Sequence, residues 1–396
     1  MIRLPRIISS HRARIEMQDE KIWIWQDDNY PHFKYDKDLL SKSLLSVSQN
    51  SGRLDGILTM LGVQKSNALK VEASINEIVT SSQIEGEVLD RQSVRSSILK
   101  KMAGRITKKD TSTKHTDGLV AMFMDSSANH SPLTVERLNG WHNTLFPDGY
   151  SGLYKINVAK FRKEEMSVVS YKGGREQTHY IAPPPDILDK EMDTFLAFVN
   201  TSTEEPYTKA AIAHFWFVTI HPYDDGNGRI ARAITNYVLS KELGLNDGYY
   251  SISTAIVEDK KSYYDLLEQS QKLMYNKSLE ITEWISWHTD MINKAIEISL
   301  QQVQIAIQKA NFWDRAREYS LNTRQIKVLN KLLDAGEDGF EGGLNTKKYI
   351  SIAKTSTATA KRDITDLVSK NLIEQVEGTA GRNVRYVVKG FNHSSH

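Results

Sequence analysis

The sequence predicts a mainly α-helical protein with one β-hairpin set into it, and three observations carry that expectation. Apolar residues recur at helical spacing from Asp36 to Ala103, from Leu119 to Phe146 and again from Asp186 to Ile307. Between Pro147 and Pro185 the helical period disappears. There Val168, Val169 and Tyr171 precede Lys172-Gly173-Gly174-Arg175, and Thr178 to Ile181 follow, the pattern of two strands joined by a glycine turn. Beyond Leu321 the pattern shortens to three helices and two strands.

At 396 residues the chain exceeds one typical domain. The pattern breaks place an N-terminal helical region at 1–105, a core at 106–310 and a tail domain at 320–396. A net charge of +2 supplies no global field toward nucleic acid or membrane. The absence of cysteine excludes disulfides, thiolate metal sites and cysteine nucleophiles. Met1 to Arg12 contains no apolar core of signal-peptide length, and no run of about eighteen apolar residues occurs, so the expected location is cytoplasmic, with no membrane partner.

In chain order, Trp23 and Trp25 are two apart, as on one face of a strand, in an aromatic cluster that Pro31 closes and that is expected to pack on the next helices. Leu39, Leu40, Leu44 and Leu45 form one helical stripe, and Leu54, Ile57, Leu58 and Leu61 a second, with Gly52 and Gly62 near the breaks. A further helix starts near Asn67, carries Val71, Ile75, Ile78 and Val79, and runs out around Thr80 to Glu87. Residues 104–116 read as a basic, solvated linker. Thr134 is placed to cap a helix whose Leu138, Trp141, His142 and Leu145 form its apolar stripe, with His142 packed rather than ligating. Phe161-Arg162, before the hairpin, reads as structural.

The chemistry concentrates in His221-Pro222-Tyr223-Asp224-Asp225-Gly226-Asn227-Gly228-Arg229-Ile230-Ala231-Arg232, a loop entering a helix. Gly226 and Gly228 permit a tight turn whose N–H groups, at the positive end of the helix, can hold an anion. Arg229 and Arg232 are three apart, hence neighbours on one helix face, and their guanidinium forks suit phosphate oxygens. Asp225 offers a hard carboxylate for magnesium arriving with a nucleotide, and His221 is the one residue of the motif that takes up a proton near neutral pH.

This string resembles the signature of the Fic family, HPFx[DE]GNGRxxR, from which only Tyr223 departs, by replacing a phenylalanine. The resemblance implies a Fic-type helical core with a β-hairpin flap whose edge registers a target segment by strand addition. It implies transfer of AMP from ATP, with Mg²⁺ as cofactor, to a hydroxyl side chain of a protein target, self-modification included. His221 would then be the base, and Asp225 the magnesium ligand. The Gly226-Asn227-Gly228 backbone and Asn227 would hold phosphate oxygens, Ile230 and Ala231 complete the nucleotide-binding run, and Arg229 and Arg232 grip the β and γ phosphates. Family members that transfer a phosphoryl group carry lysine where this chain has Gly228. Tyr263 or Tyr264 would line the adenine pocket, with core packing the alternative.

Upstream, Ser81-x-x-x-Glu85-Gly86 resembles the (S/T)xxxE(G/N) inhibitory motif of that family. Its implied role is a Glu85 carboxylate on Arg232 that keeps the γ phosphate of ATP out, and some relatives with this glutamate also remove AMP from their target. The tail resembles a winged helix-turn-helix, with 356–369 as recognition helix. Twelve Lys or Arg against eight Asp or Glu over 321–389 give a mild excess of +4, through which Lys354, Lys361, Arg362 and Arg382 would meet phosphate. A DNA-binding regulator with a nucleotide-sensing domain is therefore the alternative reading, and a protein-interaction module another. The stretch from Ile281 to Ile307 either closes the core or pairs with a second copy as a homodimer.

Overall fold

The computed structural model describes residues 4–7, 21–61, 63–103, 110–244, 248–276, 278–334 and 342–390. Gly62, the basic run 104–109 and the side chain of Arg382 lie outside that description. Two units are distinguished, residues 1–299 and 300–396.

The first unit opens with β1 (Leu4–Ile7). The stretch around Trp23 and Trp25 is not a strand: Ile24–Gln26 forms a turn of 3-10 helix. The Gln26 side chain accepts from the N–H groups of Ile22 and Trp23 at 2.9 and 2.8 Å, donors that a ladder would need. Trp23 and Trp25 pack on the hairpin rather than on the next helices, Trp23 edge-on against Tyr180 and the Trp25 indole N–H donating to the Ile181 carbonyl at 2.8 Å. α1 (Lys37–Leu61) runs unbroken through Gly52, because Leu40, Val47, Leu54 and Leu58 keep one buried stripe on both sides of it. Leu39 and Leu45, read as part of a stripe, are exposed.

α2 (Val63–Ile84) and α3 (Arg91–Ala103) follow. Glu77 of α2 is buried and accepts from the Ser251 hydroxyl, the Ser253 N–H and the Ser253 hydroxyl, which fixes α2 to the start of a later helix. α4 (Lys114–Ala128) is capped by Thr113 and α5 (Val135–Leu145) by Thr134, whose hydroxyl accepts from the Arg137 N–H at 3.2 Å. A small hairpin, β2 (Tyr150–Ser151) and β3 (Tyr154–Lys155), precedes the expected one, β4 (Met166–Lys172) and β5 (Arg175–Ile181). β1 adds antiparallel to β4, Leu4 opposite Val169 and Ile7 opposite Met166, giving the order β1-β4-β5. Nothing in the alternation of Leu4-Pro5-Arg6-Ile7 announced that third strand.

α6 (Leu188–Thr201), α7 (Pro206–Ile220), α8 (Asn227–Leu243), α9 (Ile252–Glu258), α10 (Lys260–Ser270) and α11 (Thr282–Ala316) complete the helices of this unit, α11 continuing beyond Ser299. Every residue of α7 from Tyr207 to Ile220 is buried, as a helix apolar on all sides must be. α7 packs along α8, and the loop between them is the motif singled out above.

In the second unit, α12 (Thr323–Leu333), α13 (Thr346–Ala353) and α14 (Thr357–Ser369) are capped by Asn322, Asn345 and Ser356. The ribbon of β6 (Ile373–Gln375) and β7 (Tyr386–Val388) is shorter than the strands expected at 372–376 and 384–388. Phe312, Val328, Leu332, Tyr349, Ile364 and Leu367 share its core. Asp363, buried on α14, accepts from Arg324, Asn322 and the Tyr349 hydroxyl, while Lys354, Lys361 and Arg362 are exposed. Among the described residues of the chain, no helix is long and apolar enough to cross a membrane.

Candidate active site

α7 ends in His221, whose backbone lies in the left-handed region at φ 51°, a conformation that costs a non-glycine residue free energy and persists only where neighbours impose it. Arg162 is the neighbour. Its buried guanidinium donates to the carbonyls of His221 at 2.8 Å, Glu164 at 3.0 Å and Pro183 at 2.5 Å, and its own N–H donates to the Pro222 carbonyl at 2.8 Å. The structural reading of Arg162 is thus specific: it positions His221. The imidazole Nδ1 faces the Val218 carbonyl at 3.3 Å, a contact that makes it the donor and leaves Nε2 as an acceptor. Burial, then the Arg162 charge, pushes the pKa of His221 down to about 4, so the ring is neutral at pH 7.

The loop is built from within. Tyr223 stacks on His142 with ring centroids 4.2 Å apart, and its hydroxyl, the one departure from the signature, donates to Asn139 at 2.9 Å. His142, packed as expected, accepts from the Ala159 N–H at 2.9 Å and faces the Asp225 carbonyl with Nε2 at 3.2 Å. Burial pushes its pKa down to about 4. Asp224 turns inward to accept from Asn157, whereas Asp225 lines the cleft, its carboxylate bonded to the Ser151 hydroxyl of β2 and the Gly226 N–H. Gly226, at φ 81°, has no room for a side chain: a Cβ would sit 2.9 Å from the Phe146 ring.

Two assignments of the motif change, those of Ile230 and Ala231. The Asn227 side chain braces its own loop, accepting from the Tyr223 N–H at 3.0 Å and donating one amide hydrogen to the Tyr223 carbonyl at 2.8 Å, and the residue also lines the cleft. Ile230 and Ala231 are fully buried in the α7–α8 contact, and the Ile230 N–H already donates to the Gly226 carbonyl at 3.0 Å. They are core. The N–H groups of Asn227, Gly228 and Arg229, in the first turn of α8, precede any helical acceptor and are the ones such a helix end can offer an anion.

Arg232 is 2% exposed and donates through Nε to the Ser81 hydroxyl at 2.9 Å, and through Nη2 to the Ser81 carbonyl at 2.9 Å and Glu85 Oε1 at 2.8 Å. Its Nη1 is buried with no partner, and so is Nε of Arg229. Ser81 lies in the last turn of α2, and Gly86, at φ 86°, turns the chain beyond it. The Ile84 carbonyl is held by Lys260 Nζ at 2.5 Å and the Tyr264 hydroxyl at 3.3 Å. A Cβ on Gly228 would collide with the Glu85 carboxylate, so glycine there is what lets Glu85 lie against the start of α8. Arg229 pairs with Glu87, a contact the sequence reading did not foresee.

His221, Asp225, Asn227, Gly228 and Glu85 line one cleft together with Tyr263, Tyr264 and the hairpin residues Val168, His179 and Tyr180. Its cavity volume is about 100 Å³, below the usual range of small-molecule sites, with Glu85 in its wall. Tyr263 is 2% exposed and packs among His214, Trp284 and Trp287, giving the cleft no more than an edge, whereas Tyr264 is less buried. The hairpin is tied to α10 by a chain in which Ser170 Oγ meets His179 Nε2 at 2.6 Å and His179 Nδ1 meets Glu268 at 2.7 Å.

Among the described residues, no three His, Cys, Asp or Glu side chains cluster as a resident metal centre would require. One cleft carboxylate, Asp225, fits magnesium, which binds through one or two carboxylates, water and the phosphates of its nucleotide.

A family model described as Fic/DOC family matches residues 132–239, the segment that holds His221, the glycine loop and both arginines. The chain carries a Fic/DOC family domain. Residues 23–103, ahead of the Fic/DOC domain, match a domain of unknown function, DUF4172. A protein adenylyltransferase Fic of Nematostella vectensis is 23% identical over 211 residues, 50% of this chain and 44% of that one. A probable protein adenylyltransferase of Aquifex aeolicus is 28% identical over 144 residues, 34% of this chain and 43% of that one. The chain thus spans less than half the length of these curated relatives. A solved Fic family protein from Desulfovibrio desulfuricans G20 superimposes with a TM-score of 0.49 at 18% identity, over 88% of this chain and 96% of that one.

Proposed function

We propose that the protein transfers the AMP unit of ATP to a hydroxyl side chain of a protein, itself included. The observation that carries this reading is one cleft that holds an acceptor nitrogen on a neutral imidazole, the Asp225 carboxylate and the open N–H groups of α8, with Glu85 in its wall bonded to the buried Arg232 behind it. The hydroxyl oxygen attacks the α phosphorus as its proton passes to His221 Nε2. The bond from the α phosphorus to the bridging oxygen of the β phosphate breaks, and pyrophosphate leaves. The N–H groups of Asn227, Gly228 and Arg229 and the two arginines take the phosphate charge, which makes preorganised electrostatics the larger contribution. Asp225, with its orientation fixed by Ser151 and the Gly226 N–H, is the residue that would hold Mg²⁺, whose chemistry is to neutralise phosphate charge. The hairpin β4–β5 is assigned the docking of the target segment by strand addition, and the second unit the role of a winged helix-turn-helix.

Incubation with α-labelled and with γ-labelled ATP tests the reaction class. Label is expected on protein from the α position alone, and label from the γ position would make the protein a phosphoryl transferase. The depressed pKa of His221 adds a pH dependence. A base must be unprotonated, so the rate is expected to hold level from about pH 8 to pH 6 and to fall as pH drops toward about 4. A fall already centred between pH 6 and 7 would assign the proton transfer to a group with an ordinary histidine pKa.

A further inference from the structure

Glu85 and Glu87 flank Gly86, and each carboxylate reaches a different arginine of the signature. Glu85 forms part of the cleft wall and crowds Gly228, where a phosphate would lie. Neither Glu87 nor Arg229 lines the cleft; Arg229 and Arg232 border a small pocket of their own with Ser81, Ser82 and Phe123. Glu87 Oε2 takes Arg229 Nη1 at 3.1 Å, its Oε1 meets His115 Nε2 at 2.6 Å, and its N–H returns to the Ser82 carbonyl at 3.0 Å. Arg229 is 6% exposed, its guanidinium lies 5.0 Å from the centre of the Phe146 ring, and its Nε has no partner.

We propose that Glu87 is a positioning residue for nucleotide binding: it holds the Arg229 guanidinium by one nitrogen from outside the cleft and leaves the others for phosphate, so that of the two carboxylates only Glu85 obstructs. The inference rests on the nucleotide-transfer reading above. An arginine on a ring face with an unpaired Nε can turn about its long stem, and a carboxylate anchored at both ends removes that freedom before the nucleotide arrives. The anchor keeps its charge. Burial alone would raise the Glu87 carboxyl, but the His115 bond and the Arg229 charge outweigh it and hold the pKa below the ordinary carboxylate value. A carboxylate that served to block would compete with phosphate for the same space, as Glu85 does.

The two roles predict opposite signs. Binding of Mg²⁺ with α,β-methylene ATP is measured by calorimetry for the Glu85→Gly protein and for Glu85→Gly combined with Glu87→Gln, and steady-state kinetics with ATP are run on both. The double variant is expected to bind about tenfold more weakly, the loss of one charge-assisted contact, with KM for ATP rising by the same factor and kcat held. Equal binding in the two proteins overturns the proposal, and tighter binding in the double variant makes Glu87 a second blocker, which also overturns it. If Glu85→Gly itself binds no nucleotide, it is the parent reading that fails, and the inference falls with it. Should Glu87→Gln not fold, His115→Ala in the same background frees one end of the carboxylate and is expected to weaken binding about threefold; unchanged or tighter binding there counts against the proposal equally.

Discussion

Glu85→Gly is expected to raise ATP binding and AMP transfer by roughly tenfold to a hundredfold, the equivalent of one charge-assisted hydrogen bond that the nucleotide no longer has to displace. The geometry behind the number is a carboxylate oxygen 2.8 Å from Nη2 of a guanidinium that is almost wholly buried. The same carboxylate lies where any side chain on Gly228 would stand, at the mouth of the open N–H groups of α8. On the proposed reading it would act twice, by occupying Arg232 and by repelling an incoming anion. About a third of the Glu85 side chain is exposed, so solvent screening places the expectation at the lower end of that range. Self-labelling from α-labelled ATP reads the effect, and an unchanged or lower yield would remove Glu85 from the inhibitory role.

His221→Ala is expected to lower transfer by about 10² to 10⁴ while nucleotide binding and the melting temperature stay near those of the parent. The fold should survive because what holds the loop is backbone. Arg162 grips the carbonyl oxygen of His221 and not its ring, and Tyr223, Asn227 and His142 brace the residues that follow. The loss should fall on kcat, since the imidazole meets the attacking hydroxyl and not the triphosphate. A parent-like rate in this variant would mean that the proton goes elsewhere.

The signature was legible because its chemistry is local. A histidine, an acid, two glycines and two arginines within twelve residues need only one loop and one helix start to converge, and each glycine sits where a Cβ would strike Phe146 or Glu85. The hairpin was legible from its alternation and its Gly173-Gly174 turn, whereas the Glu85 contact with Arg232 was reached only through the resemblance of Ser81-x-x-x-Glu85-Gly86 to a family motif. What escaped depends on contacts far apart in the chain. Arg162 meets His221 across fifty-nine positions and Glu87 meets Arg229 across 142, and no period or propensity reports such pairs. A hint existed for Glu87: in Glu85-Gly86-Glu87 a glycine in the left-handed conformation separates two carboxylates. The bracing of the loop by the Asn227 side chain was not foreseen, because only the folded turn brings its amide back onto the Tyr223 backbone. Ile230 and Ala231 entered the site by adjacency alone, and helix geometry turned them to the core. Gly52 suggested a break in α1, but one glycine costs a helix only about 1 kcal/mol, less than the buried stripe on either side contributes.

The most direct test is a crystal structure of the Glu85→Gly protein with Mg²⁺ and α,β-methylene ATP. The account predicts phosphate oxygens on the N–H groups at the start of α8 and on both arginines, with His221 Nε2 open toward the side of the α phosphorus opposite the leaving group. A triphosphate bound elsewhere, or an imidazole turned away from the α phosphorus, would contradict it.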